Sequence, residues 1–318
     1  MLPTLRSVPA GPLPAGLVLV STPIGNLADL TPRAAACLAE ADLVLCEDTR
    51  HTARLFSAWG ISSRMEALHE HNERHRIASL LDLLRQGRRI ALVSDAGTPL
   101  LSDPGFRLVR AAIAEGLPVS AAPGANAAIT ALTLSGLPPH PFLFIGFPPP
   151  RGAARRAAFG QLHAAEQAGL SATAIWHEAP HRLAEMLEDL ATVFGGAREA
   201  AVARELTKRF EEVRRGSLAS LAAHYAENQA RGEITVLIGP AEAETTGTND
   251  LDRQLRQALL THSVKDAAAL VAGAASLPKR TVYARALQLA TESDPPDPVE
   301  DANPMEKIGP VEDGDSET

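Results

Sequence analysis

Three segments close short apolar runs with the same mixture of small residues, proline, glycine and polar side chains. They are Ser21-Thr22-Pro23-Ile24-Gly25-Asn26, Ser94-Asp95-Ala96-Gly97-Thr98-Pro99 and Pro123-Gly124-Ala125-Asn126-Ala127. Glycine at such a junction lets backbone come close to a ligand. In open α/β sheets, ligands bind beyond the carboxyl ends of the strands. One such segment alone reads as an ordinary turn; three on one sheet edge would form a small-molecule pocket. Four polar clusters could supply charge to it: Glu47-Asp48-Thr49-Arg50, His69-Glu70-His71-Asn72-Glu73, His177-Glu178-Ala179-Pro180-His181-Arg182 and Arg204-Glu205-Leu206-Thr207-Lys208-Arg209. Each abuts an apolar run, so each either faces a cleft or forms surface ion pairs. Arg151, Arg155 and Arg156, with Lys208, Arg209, Arg214 and Arg215, are candidates for a basic wall against phosphates, the alternative being a solvated charged face.

Other chemistries find no motif. The chain has no Gly-x-Gly-x-x-Gly and no Gly-x-x-x-x-Gly-Lys-Ser/Thr, which disfavours dinucleotide binding and P-loop hydrolysis. No Ser, Cys or His stands in a nucleophile elbow. His69 and His71 lack a third ligand, so that stretch reads as a polar loop and no metal is expected.

The elements that must position these groups follow from the apolar pattern. Strands are predicted at 17–21, 43–46, 90–93 and 119–122, and helices at 32–41, 76–86 and 105–116. Thr31 is a predicted N-cap, with Pro32 at the first helical position. Alternating strands and helices indicate an α/β domain over 16–140 with a largely parallel sheet. Residues 138–152, rich in proline and glycine, read as a linker. A second α/β domain follows over 153–240, with helices at 153–168, 181–194 and 218–229 and strands at 173–177, 200–204 and 234–238. Residues 250–290 form a helical unit, with a helix at 251–260 and a capping box at Ser263-Val264-Lys265-Asp266. Gly273 is expected to break the pattern, giving a helix-turn-helix.

The chain has 318 residues, a length that suits two domains better than one core. Its net charge is −8, which on its face argues against nucleic acid. The distribution reverses that reading. Residues 291–318 carry ten acidic residues and Lys307, leaving 29 basic and 28 acidic residues elsewhere. That tail and the proline-rich leader, 1–15, read as flexible. Two unclustered cysteines, Cys37 and Cys46, fit a reducing compartment, and no apolar run approaches the roughly 20 residues of a membrane span. A cytoplasmic protein is expected.

Six motifs, in order between about residue 16 and 240, resemble the ribosomal RNA small subunit methyltransferase I family. They are Ser21–Asp29, Glu47-Asp48-Thr49-Arg50, His71-Asn72-Glu73, Ser94–Pro99, Ser135-Gly136-Leu137-Pro138 and Arg204–Lys208. The basic unit at 250–290 is similar to that family's C-terminal helix-turn-helix. The resemblance implies a two-domain tetrapyrrole-methylase fold with S-adenosyl-L-methionine in the cleft. It implies methylation of the ribose 2′-hydroxyl of cytidine 1402 in 16S rRNA of the small ribosomal subunit, and a homodimer. By resemblance, Pro23, Gly25, Ser94, Asp95, Gly97, Thr98, Asn126 and Ala127 contact the cofactor, as do Glu178 and Gly216 from the second domain. Asn126 stands where the family has Ser or Thr, and His177 where an aromatic is common.

A ribose hydroxyl is a poor nucleophile, so positioning and a base should both contribute. Candidate bases are Asp48, Glu73 and Glu178. Candidate RNA contacts are Arg50, Arg182, Lys208, Lys279, Arg280 and Arg285. Two alternatives stay open: methylation of a tetrapyrrole or other small molecule, and a non-enzymatic ribosome-assembly factor.

Overall fold

The computed structural model describes residues 15–241, 248–275 and 277–292. The leader up to residue 14 and the acidic tail from 293 onward lie outside the described residues. The chain divides into two compact units, Met1–Glu242 and Ala243–Thr318.

The first sheet of the first unit contains β1 (Gly16–Val20), β2 (Leu43–Cys46), β3 (Met65–Ala67), β4 (Arg89–Leu92) and β5 (Val119–Ala122). All are parallel, in the order β3-β2-β4-β1-β5. Strands buried on both faces read as continuous apolar runs, as Leu17, Val18 and Val20 do. Helices α1 (Pro32–Glu40), α2 (Thr49–Trp59), α3 (Glu70–Arg85) and α4 (Phe106–Ala114) punctuate these strands. Thr31 caps α1 as its sequence predicts, accepting from the Ala34 N–H at 3.1 Å. The polar stretch at 69–73 is the first turn of α3 rather than a loop. His69 is its N-cap, and the Asn72 side chain accepts from the His69 N–H at 2.9 Å. Local capping hydrogen bonds convert a polar run into a helix start.

The topology explains why the three loops meet. β1 lies between β4 and β5, so the loops that leave these strands come off three neighbouring carboxyl ends.

The second sheet contains β6 (Phe142–Gly146), β7 (Thr173–Glu178), β8 (Glu199–Arg204), β9 (Glu212–Ser217) and β10 (Ile234–Ile238), in the order β6-β7-β10-β8-β9. Only β6 and β7 pair in parallel. The predicted linker at 138–152 therefore contains an edge strand: prolines bracket the run Phe142-Leu143-Phe144-Ile145 without entering it. Helices α5 (Ala127–Ser135), α6 (Gly152–Gln167), α7 (Leu183–Phe194) and α8 (Leu218–Glu227) complete the unit. α5 joins the two sheets. It starts at the loop after β5, and its Ala131 and Leu132 pack with Ile175, Ala201 and Leu237 of the second sheet.

Among the described residues, the second unit has three helices, α9 (Thr248–Leu259), α10 (Val264–Ala275) and α11 (Lys279–Glu292), around Leu255, Val271, Val282 and Ala286. Ser263 caps α10, its Oγ accepting from the Asp266 N–H at 3.2 Å and donating to Asp266 Oδ2 at 2.7 Å; the Asp266 carboxylate meets the Ser263 hydroxyl rather than its backbone N–H, so the cap forms without the reciprocal bond of a capping box. Gly273 does not end a helix; it lies inside α10. A glycine costs a helix interior only about 1 kcal/mol against alanine, and the buried Val271 and Ala272 beside it hold the turn. Among the described residues, no helix is long and apolar enough to cross a membrane.

Candidate functional site

Backbone hydrogen bonds stitch the three loops together. The Thr22 N–H donates to the Gly97 carbonyl at 2.9 Å, and the Gly97 N–H returns to Thr22 at 3.1 Å. The Ser21 N–H donates to the Ala122 carbonyl at 3.1 Å. Asn126 engages both ends of its amide: Oδ1 accepts from the Ile129 N–H at 3.0 Å, capping α5, while Nδ2 donates to Thr98 Oγ1 at 3.1 Å. Gly97 has φ 80°, and a Cβ there would lie 3.2 Å from Ile24 Cγ2. Only glycine takes that conformation and that approach without strain.

The loops bound two adjoining cavities. The larger, of about 380 Å³, takes Gly97, Thr98, Asn126 and Ala127 from the first sheet's loops and His177 and Glu178 from β7. The smaller, of about 280 Å³, takes Pro23, Gly25, Ser94 and Asp95, with His51, Arg54 and Lys208. Ile24, Ala96 and Glu233 line both. Gly216 lines neither cavity. It lies on β9, paired with Ala200 of β8, and a Cβ there would lie 2.6 Å from Ser220 Oγ.

The charge of the larger cavity is one-sided. Asp103, Glu178 and Glu233 line it, and no Lys or Arg does. Burial pushes the Asp103 carboxyl up to about 6, with help from the neighbouring Glu47 and Asp95. Burial also raises Glu47, as does Asp95, and it lowers His177. His177 stacks edge-on against Phe144 with centroids 5.0 Å apart. The backbone leading into Asp103 is strained: Leu100 and Ser102 have φ 75° and 71°, in the left-handed region that non-glycine residues avoid.

The three candidate bases part ways. Asp48 caps α2, and Arg50 grips its carboxylate, with Nη2 2.7 Å from Oδ2; the bonds to Arg50 hold the acid down at about 2. Glu73 is buried, and its Oε1 accepts from the N–H groups of Arg107 and Leu108 at 2.9 and 3.2 Å. It thereby caps α4, whose own N-cap, Gly105, has no side chain to do so. Neither acid lines either of these two cavities. Glu178 does, at 3% exposure. Its Oε1 accepts from the Ala179 N–H at 2.6 Å and from Arg182 Nε at 2.7 Å, while Oε2 has no partner.

Several candidate RNA contacts have protein partners. Arg182 holds Glu178. Lys208 Nζ lies 2.8 Å from Glu205 and 3.1 Å from Glu233. Arg285 donates from Nε to Asp252 at 2.7 Å, inside the second unit. Arg50 is exposed but pairs with Asp48. Lys279 and Arg280 are exposed at the start of α11. Of the predicted basic wall, Arg151 and Arg209 stay exposed, whereas Arg155 is 2% exposed with Nε 2.7 Å from Asp189, and Arg215 Nε donates to the Ser135 carbonyl at 3.1 Å. Arg155 and Arg215 fasten elements to one another. Asp103, His51 and Arg54 escaped the sequence reading. For Asp103 a signal existed, since Ser102-Asp103-Pro104-Gly105 has the turn chemistry of the other three loops.

Comparison with known proteins places this arrangement. Residues 16–222 match the family model described as Tetrapyrrole (Corrin/Porphyrin) Methylases, and residues 245–290 match the RsmI C-terminal HTH domain. A ribosomal RNA small subunit methyltransferase I from Mesorhizobium japonicum is 46% identical over 287 residues, covering 90% of this chain and 96% of its own. The protein of the same name from Pseudomonas aeruginosa is 46% identical over 278 residues, covering 86% and 96%. The crystal structure of the methyltransferase CobJ aligns with a TM-score of 0.53 at 20% identity, over 71% of this chain and 95% of that one, a likeness of fold. The chain belongs to the ribosomal RNA small subunit methyltransferase I family, within the tetrapyrrole methylases.

Proposed function

We propose that this protein transfers a methyl group from S-adenosyl-L-methionine to the ribose 2′-hydroxyl of cytidine 1402 in 16S rRNA of the small ribosomal subunit. The observation that carries the donor assignment is a buried Glu178 oxygen without a partner among the described residues, in a cavity lined by Asp103, Glu178 and Glu233 and by no Lys or Arg; the cations paired with Glu178 and Glu233, Arg182 and Lys208, stand outside the lining. An anionic dinucleotide or nucleoside triphosphate would be repelled there, whereas a ligand bearing a sulfonium and an ammonium is attracted. The residues therefore fit the donor. Gly97, Thr98, Asn126 and Ala127 would hold it from one side and Glu178 from the other. When bound, the donor supplies a methyl on cationic sulfur, which departs as a neutral thioether as the acceptor oxygen bonds the methyl carbon and releases its proton. Arg182 fixes one oxygen of Glu178 and leaves the other for that proton. Phe144 and Phe147, beside His177, give the cavity an apolar flank.

The rRNA assignment rests on the names of the relatives and on the helical stretch 250–290, which carries six Lys/Arg against three Asp and exposes Lys279 and Arg280. We expect those cations to contact phosphates. Replacing both with alanine should weaken binding to small-subunit particles about threefold to tenfold, and unchanged affinity would remove that role. A homodimer has a place to form: edge strand β6 and the residue after it expose Phe142, Ile145 and Phe147 by 40, 46 and 56%. Sedimentation of the full chain reads it directly. The decisive test of function is mass mapping of 16S rRNA from cells with and without this protein, paired with calorimetry of donor binding. Loss of one ribose methyl at that cytidine is expected. An unchanged rRNA would favour a small-molecule acceptor, and absence of donor binding would favour an assembly factor.

A further inference from the structure

Resting on the methyl-transfer reading, we propose that the smaller cavity receives the acceptor nucleotide, with a phosphodiester of the RNA seated against Arg54 and His51. The cavity adjoins the larger one across Ile24 and Ala96, so a group inside it approaches the donor's space from the far side of two loops. Its lining mixes apolar Pro23, Leu27 and Leu55, which suit a base or a sugar face, with the carboxylates of Asp95 and Glu233, so an anionic group is directed to the side of Arg54 and His51.

Arg54 and His51 differ from the cations around them. Arg50 pairs with Asp48, and Lys208 lies between Glu205 and Glu233. The side chains of Arg54 and His51 have no ion pair or hydrogen bond among the described residues, and both are exposed. Arg54 follows Arg50 by one turn of α2, so the two guanidiniums share a helix face. An unpaired guanidinium at a cavity mouth matches the bidentate geometry of a phosphate.

The loop after β8, which brings Lys208 to this cavity, is built at a cost in backbone strain. Glu205 and Thr207 are non-glycine residues with φ 51° and 66°. Thr207 Oγ1 accepts from the Asn26 N–H at 3.1 Å. A Cβ on Gly25 would lie 2.4 Å from Lys208 Cγ, so the loop after β1 and the loop after β8 close on each other only through glycine. Strain held by such contacts collects at ligand sites. Of the conspicuous run Arg204–Lys208, Lys208 lines the smaller cavity and Leu206 the larger, so the run borders both.

The test uses the full chain, S-adenosyl-L-methionine and small-subunit particles. Arg54→Ala should raise KM for the particles about tenfold, with kcat within about threefold and donor affinity by calorimetry unchanged. The slope of log kcat/KM against log salt should fall by about 0.7 to 1, the signature of one lost phosphate contact, and Arg54→Lys should restore it. A purely structural role for Arg54 would not move that slope. A wild-type KM and salt slope in Arg54→Ala overturn the proposal. Titration with cytidine 3′,5′-bisphosphate separates it from the reading beneath it. If the wild-type chain binds this probe, Arg54→Ala loses it and neither methylates rRNA, the pocket stands and the rRNA assignment falls. If the wild-type chain methylates rRNA and the variant binds the probe equally well, the pocket alone falls.

Discussion

The two sheets of the first unit furnish the cavities in different currencies. The parallel sheet contributes backbone: loops off β1, β4 and β5 that are stitched to one another and shaped by Gly25, Gly97 and the capped start of α5. The mixed sheet contributes side chains straight from strand ends, with His177 and Glu178 closing β7 and Glu233 entering β10. Loops on the first sheet can shape a cavity around a ligand's outline. Side chains on the second sheet, held between buried neighbours such as Trp176 and Ile234, can hold a charge in one place. Shape and charge are therefore supplied by separate layers, and each can be removed without the other.

Glu178→Gln is the strongest way to break that contrast. The amide keeps the volume and can still bond Ala179, but it loses the charge and the proton-accepting oxygen. We expect kcat to fall by about 100-fold or more, the lower range for loss of a general base. The loops should remain intact, so the product S-adenosylhomocysteine should still bind within about tenfold of wild type. A variant with kcat within threefold of wild type would leave the second sheet with no part in the chemistry.

Glu73→Ala probes the opposite claim, that the polar groups on the first sheet's helices are scaffold. The substitution strands the Arg107 and Leu108 N–H groups at the buried start of α4. An orphaned buried donor costs about 1–3 kcal/mol, so we expect the unit to lose about 2 kcal/mol, or roughly 4–8 °C in Tm. Thermal melts beside initial rates below the transition would check this. A large loss of kcat in the folded variant, with little change in Tm, would return Glu73 to the reaction.

The same division explains what the sequence could reveal. Four strands of the first sheet were legible because they are largely apolar and the loops after three of them announce themselves with Gly, Pro and Asn; β2 and β5 have the predicted bounds, whereas β3, the half-buried Met65-Glu66-Ala67 at the sheet's edge, gave no such signal. The three loops were legible as a site for the same reason. β9 was not legible, because Glu-Val-Arg-Arg-Gly-Ser pairs as a charged edge strand through Arg204–Glu212 and Arg214–Glu212 bridges that only the partner strand reveals. Among carboxylates, Asp48, Glu73 and Glu178 look alike in one dimension. What separates them is which oxygens are already occupied, by Arg50, by the end of α4 or by Arg182, and those partners are three-dimensional facts. Arg155 looked like a phosphate ligand for the same reason and is an internal tie to Asp189.

Asp103 sharpens the comparison, because it is a charge supplied from the loop side. Burial, Glu47 and Asp95 hold its carboxyl at about 6, above the ordinary value of 3.8. A cationic donor favours the ionised form, so below about pH 6 a proton must leave as the donor binds. Donor affinity should therefore weaken as pH falls through 6, by up to about tenfold per pH unit. The other groups near the donor do not reverse the sign. Glu47 is also raised by burial, while His177 is lowered by it, and protonating either one would oppose a cation too. S-adenosylhomocysteine has a neutral sulfur and should show a shallower profile, and Asp103→Asn should flatten the donor's. Calorimetry across about pH 5 to 8 measures all three. If donor and product gave the same flat profile, Asp103 would have no electrostatic part in binding, and charge would come from the second sheet alone.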